Sequence, residues 1–84
     1  MKKPKIAKLE RPPLPFIVKD KIEQLIKISR LMPGDRLPSE SELASMLGVS
    51  RGSLREALRV LEEDGVIIKR HGIGTFVTSA LPLV

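Results

Sequence analysis

Apolar positions recur along this chain with a helical period in three stretches and a β pattern in two. Between Phe16 and about Ile28 they fall at Val18, Ile22, Leu25 and Ile26. Steps of four, three and one place them on one face of a helix. Pro15 stands near the start of that helix, and Leu31-Met32-Pro33-Gly34 supplies the stop, because Pro-Gly is a strong turn signal. Glu23 and Lys27 are four apart and are expected to pair on its exposed side. Asp35-Arg36-Leu37-Pro38 is short and extended, since Pro38 biases its predecessor away from helix.

A second helix begins at Ser39. Its hydroxyl is placed to cap the Glu42 amide while the Glu42 side chain reaches back to the Ser39 amide, a capping box. Leu43, Ala44 and Leu47 form the apolar stripe, and Gly48 is the expected left-handed residue that closes the helix. Ser50 is an N-cap candidate only two residues later. A third helix follows, with Leu54, Ala57, Leu58 and Leu61 on one face and Gly65 at its end. Two helices joined by so short a glycine-containing turn make a helix-turn-helix.

Val66-Ile67-Ile68 is β-branched, His71-Gly72-Ile73-Gly74 is a turn, and Thr75-Phe76-Val77-Thr78 reads as a returning strand. The fold class is therefore mainly α with a small β-sheet: a winged helix-turn-helix, three helices plus a C-terminal β-hairpin wing. The Leu37 segment is available as a third strand. Residues 1–14, rich in proline and lysine, read as a flexible basic arm, 15–78 as the domain, and 79–84 as a C-terminal tail or linker. There is no internal repeat.

Composition removes several function classes. The chain has 84 residues, no Cys and one His. Thiol chemistry, disulfides and multi-His metal sites are thereby excluded, and no cofactor is expected. With no Trp or Tyr and two Phe, it lacks the rings that single-strand binders use to stack bases. No apolar run reaches the roughly 18–20 residues of a membrane span. No constellation of nucleophile, base and stabiliser suggests an enzyme.

The formal net charge is +5, but it is uneven. Residues 1–11 carry a net of +4. Residues 12–84 hold ten basic and nine acidic side chains. The arm is thus either a solubilising tail or a source of attraction to polyanions, and the folded part matters by how it segregates charge. The third helix does segregate it. Arg51, Arg55 and Arg59 step by four, drifting only about 80° around the axis, and make one stripe. Glu62, Glu63 and Asp64 cluster at the far end. A basic N-terminal half adds to the positive end of the helix dipole, which suits presentation to DNA. Arginine gives two parallel hydrogen bonds to guanine O6 and N7. Ser50 and Ser53 are short donors for phosphates or base edges, and Gly52 permits close backbone approach. Lys69, Arg70, His71 and Gly72 make a basic hairpin tip suited to a minor groove. Solvated arginines paired with Glu56, Glu62 or Glu63 are the plainer alternative. A winged helix that contacts protein is the other, which calls for exposed apolar anchors where these arginines stand.

The run Pro33-Gly34-Asp35-Arg36-Leu37-Pro38-Ser39-Glu40 with Glu42-Leu43-Ala44 resembles the signature of GntR-type bacterial transcription regulators. So do Leu47-Gly48-Val49-Ser50-Arg51, Leu54-Arg55-Glu56-Ala57-Leu58 and Gly74-Thr75-Phe76-Val77. The resemblance covers roughly residues 16–78. It implies a cytoplasmic, nucleoid-associated repressor that binds palindromic operators on double-stranded DNA as a homodimer. It further implies that a small-molecule effector acts through a C-terminal domain beyond this chain, leaving the fragment a monomer or weak dimer. Arg51 and Arg55 match positions that contact guanine or backbone. Ser50, Gly52 and Ser53 match positions that approach DNA at the start of the recognition helix. Glu40 and Ser41 match positions close to DNA at the start of the second helix, and His71 and Gly72 match the wing tip. Arg59 joins the set as the third member of the stripe. Two departures stand out: Ser41 where the family usually has Arg, and Ile73 at a wing position that is often basic or polar.

Overall fold

The computed structural model describes residues 14–78, and the arm and tail expected at 1–13 and 79–84 lie outside the described residues. Its elements are α1 (Leu14–Ile28), α2 (Glu40–Leu47), α3 (Arg51–Glu63), β1 (Ile67–Arg70) and β2 (Gly74–Val77). Pro15 occupies the second position of α1, where its missing N–H removes no helical bond. The helix thus opens at Leu14, one residue inside the stretch expected to be arm.

All three helices end the same way. In each, one residue turns left-handed, and its N–H and the next N–H return to the last helical carbonyls, the Schellman arrangement. Gly48 (φ 68°) and Val49 bond the carbonyls of Ser45 and Ala44. Gly65 (φ 79°) and Val66 bond those of Glu62 and Leu61. In α1 the left-handed residue is Arg30 (φ 57°), with Arg30 N–H on Lys27 and Leu31 N–H on Ile26. The expected stop at Leu31–Gly34 is therefore late. The helix ends at Ile28, because Leu31 folds back toward the core and Pro-Gly shapes only the loop beyond.

The expected Glu23–Lys27 pair is not formed. Glu23 turns back to Lys19, 3.3 Å away. The Lys19 side chain is only 19% exposed, so packing holds its ammonium beside Glu23, whereas Lys27 projects into solvent in the last turn.

One core joins the elements. Val18, Ile22 and Ile26 of α1 meet Leu54, Ala57, Leu58 and Leu61 of α3, with Leu43 and Ala44 of α2 and Val66, Ile67 and Val77 closing the sides. Leu25 and Leu47 are half-buried against it. Among the described residues no polar or charged side chain is buried, and the core is apolar throughout. The strands pair antiparallel with Ile67 opposite Val77 and Arg70 opposite Gly74. The expected third strand is reduced to a single bridge, Arg36 opposite Phe76. Pro38 has no N–H to continue a ladder. Even so, Leu37 N–H reaches the Thr75 carbonyl at 2.8 Å and Val77 N–H the Asp35 carbonyl at 2.9 Å. These bonds clamp the wing to the start of the helix-turn-helix.

Candidate nucleic-acid interface

Both caps that open the helix-turn-helix form as their residue types require. Ser39 Oγ accepts from Glu42 N–H at 3.1 Å, and Glu42 Oε1 accepts from Ser39 N–H at 2.9 Å. Ser50 Oγ accepts from Ser53 N–H at 3.1 Å and also donates to Ser53 Oγ. These contacts fix the first turns of α2 and α3, and every candidate helical contact except Arg59 lies within or just beyond those turns.

The three arginines of α3 are exposed, but the structure separates them. Arg51 Nη2 donates to Ser41 Oγ at 2.6 Å. Arg55 Nε donates to Glu40 Oε1 at 3.1 Å, while Lys69 Nζ approaches Glu40 Oε2 at 3.7 Å. Glu40 thus sits between the recognition helix and the wing. The hydrogen bond from Arg55, then the charges of Arg55 and Lys69, hold its carboxyl below the ordinary glutamate range against the opposing effect of partial burial. Arg59 is different. It bonds Glu56 at 3.0 Å and Glu63 at 2.8 Å on its own helix. The plainer pairing considered from sequence therefore holds for Arg59, whereas Arg51 and Arg55 are tied to α2.

Gly52 has no internal reason to be glycine. A Cβ there would meet only Ser50 Oγ, at 3.9 Å. The open surface beside it is the flank of α3 that a partner can approach. His71 and Gly72 stand exposed in the 71–73 turn, beside Ile73, which is 59% exposed. Between wing and α2 runs a groove of about 410 Å³ rimmed by Arg36, Glu40, Lys69, Arg70 and His71. Arg36 belongs to the signature run but is not among the site residues expected from sequence. Its guanidinium lies against Gly74, where a Cβ would fall 2.7 Å from Nε, and only the fold brings residues 36 and 74 together. Among the described residues no three His, Cys, Asp or Glu side chains gather to hold a metal, and no helix is long and apolar enough to cross a membrane.

A short-turn helix pair with exposed arginines on the first half of its second helix, followed by a clamped hairpin with a basic turn, defines a winged helix-turn-helix DNA-binding domain. The chain belongs to the GntR family: the family described as bacterial regulatory proteins, gntR family, matches residues 17–77. It is 50% identical over 60 residues to the putative L-lactate dehydrogenase operon regulatory protein of Escherichia coli K12, a match covering 71% of this chain and 23% of that protein. It is 46% identical over 65 residues to the histidine utilization repressor of Pseudomonas aeruginosa, covering 77% and 26%. Among solved structures it is similar to the DNA-binding domain of AraR in complex with operator ORX1, with a TM-score of 0.75 and 30% identity over 90% of this chain and 92% of that one. The chain spans about a quarter of the length of the curated relatives it matches.

Proposed function

We propose that this domain reads a specific double-stranded DNA sequence by setting the N-terminal half of α3 into the major groove. Arg51 and Arg55 face the bases, and Ser50, Gly52 and Ser53 lie at the point of entry. Glu40 and Ser41 flank them, and Arg59 marks the edge of the contact. The wing turn, His71 and Gly72, reaches the neighbouring minor groove. The observation that carries this reading is the pair of exposed guanidiniums, Arg51 and Arg55, held at the positive end of α3. There the helix dipole and the side-chain charges act together on phosphates and groove acceptors. Gly52 supports it, because its small size serves nothing inside the domain.

The likeness to AraR bound to operator DNA supports the same geometry. So do the longer relatives named as an operon regulator and a repressor. On that basis the chain works as one half of a two-fold complex on a palindromic operator, in the cytoplasm, within a regulator whose other part binds a small effector. Repression is the proposed mode of action.

Selection from random duplexes at physiological salt, with the Arg51→Ala/Arg55→Ala variant alongside, tests it. Enrichment of a half-site or inverted repeat by the parent alone is expected. Arg55→Ala costs about 1–3 kcal/mol on the best duplex if its contact is bidentate to guanine. An equal loss on every sequence assigns Arg55 to a phosphate instead. No enrichment even when two copies are tethered as a dimer overturns the reading.

A further inference from the structure

We propose that the first turn of α2 sets the base preference of α3 without itself reading bases. In this arrangement Glu40 is the positioning residue for Arg55, and Ser41 is the positioning residue for Arg51. The inference deepens the DNA-reading proposal above and rests on it.

An arginine side chain is long and loses about 2 kcal/mol of rotamer freedom when fixed. A partner that fixes it before binding removes that loss from the binding step and limits the directions in which its donors point. Here the partners sit on a turn that is itself fixed, since the capping box closes both ends of Ser39–Glu42. Which nitrogen each arginine commits then matters. Arg55 gives Nε to Glu40, and its two Nη groups have no partner among the described residues. Those are the parallel donors that an end-on contact to guanine O6 and N7 requires. Arg51 instead gives Nη2 to Ser41, so its end-on pair is partly engaged. The two arginines therefore present different donor sets to the groove. Arg59, bound by Glu56 and Glu63, has no tie to α2 and falls outside this control.

The arrangement also assigns a consequence to Ser41. A serine hydroxyl accepts from Arg51. An arginine at the same position could not accept and would repel it. The residue at 41 thus decides where the Arg51 guanidinium rests, even with Arg51 unchanged.

A double-mutant cycle tests the proposal, using the selected duplex and versions with each base pair replaced in turn. Glu40→Ala is expected to reduce discrimination at the pair read by Arg55 about fivefold, part of what a bidentate guanine contact supplies. Affinity for unrelated duplex should hold or rise, because a negative charge near phosphate is removed. In an Arg55→Ala background the same change should have no further effect on discrimination. Ser41→Ala should behave likewise with respect to Arg51, and Ser41→Thr, which keeps the hydroxyl, should restore the parent preference. Both Glu40→Ala and Glu40→Gln are read well below their melting temperatures, and Glu40→Gln is expected to show a smaller loss of discrimination that again depends on Arg55. A uniform loss on all duplexes, or a loss that persists without Arg55, overturns the proposal. If Arg51→Ala and Arg55→Ala leave base preference untouched, the reading by α3 has failed. If they abolish it while the Glu40 and Ser41 variants do not, the positioning role alone has failed.

Discussion

At the scale of single residues, one position is suboptimal for the fold and another, Glu40, carries a shifted carboxyl. Arg30 adopts φ 57° at the end of α1, a conformation that is unfavourable by about 1–2 kcal/mol for a residue with a Cβ. Glycine is free of that penalty but loses roughly 0.5–1 kcal/mol more in chain entropy on folding. Arg30→Gly should therefore stabilise the domain by about 0.5–1 kcal/mol, seen as a higher denaturant midpoint with an unchanged slope. Glu40 gives a pH prediction. Its folded carboxyl titrates below the ordinary value of 4.5, so the Arg55–Glu40–Lys69 cluster stabilises the fold above about that pH. This contribution is lost as pH falls through the lower folded value. With Arg55 59% and Glu40 28% exposed, solvent screens the pair and keeps its worth within about 1 kcal/mol. Melting curves of Glu40→Gln should separate from those of the parent above the ordinary glutamate value of 4.5 and converge with them as the pH falls through the lower folded value.

At the scale of elements, caps carry much of the definition. The helices are 15, 8 and 13 residues long, and α2 is too short to hold its shape from propensity alone. Its capping box and Gly48 terminus add to the packing of Leu43 and Ala44 in the core. Ser39→Ala should lower stability by about 1 kcal/mol. It should also weaken DNA discrimination, because the turn that bears Glu40 and Ser41 loosens. A mutant that loses stability with full discrimination would separate the cap from the interface. Both caps were legible from sequence, since Ser39 has Glu42 three residues on and Ser50 follows the helix-closing Gly48 by two residues, and both are local patterns. The end of α1 was legible only as the close of its apolar face at about Ile28, not as the residue that caps it. A left-handed arginine carries no residue signal, and it forms because Leu31 gains by packing against the core.

At the scale of the whole molecule, charge is arranged rather than abundant. Residues 12–84 are nearly balanced, and most of the net charge lies in residues 1–11. That segment is expected to add sequence-independent attraction. Deleting it should make the dependence of log K on log salt shallower, by up to about 0.9 for each phosphate it had neutralised, and leave base preference unchanged. A changed preference would make the segment a minor-groove reader. The core face of α3 was readable position by position: Leu54, Ala57, Leu58 and Leu61 are all buried. The partners of its exposed arginines were not readable, because Arg55 lies fifteen residues from Glu40 and Arg51 ten from Ser41.

The amino-acid order by itself determined whatever depends on neighbours within a turn or two. This includes the three helices and the hairpin, the caps of α2 and α3, the buried stripes and the row of arginines, since periodicity and capping act over at most about four residues. Only the tertiary structure decided the rest. It joined Arg36 to the returning strand of the wing beside its turn, gave Arg59 to its own helix, and set Glu40 between α3 and β1. Those pairings depend on how α2 and the hairpin dock against the core, and docking is set by the fit of many apolar side chains at once. No short stretch of sequence encodes that fit.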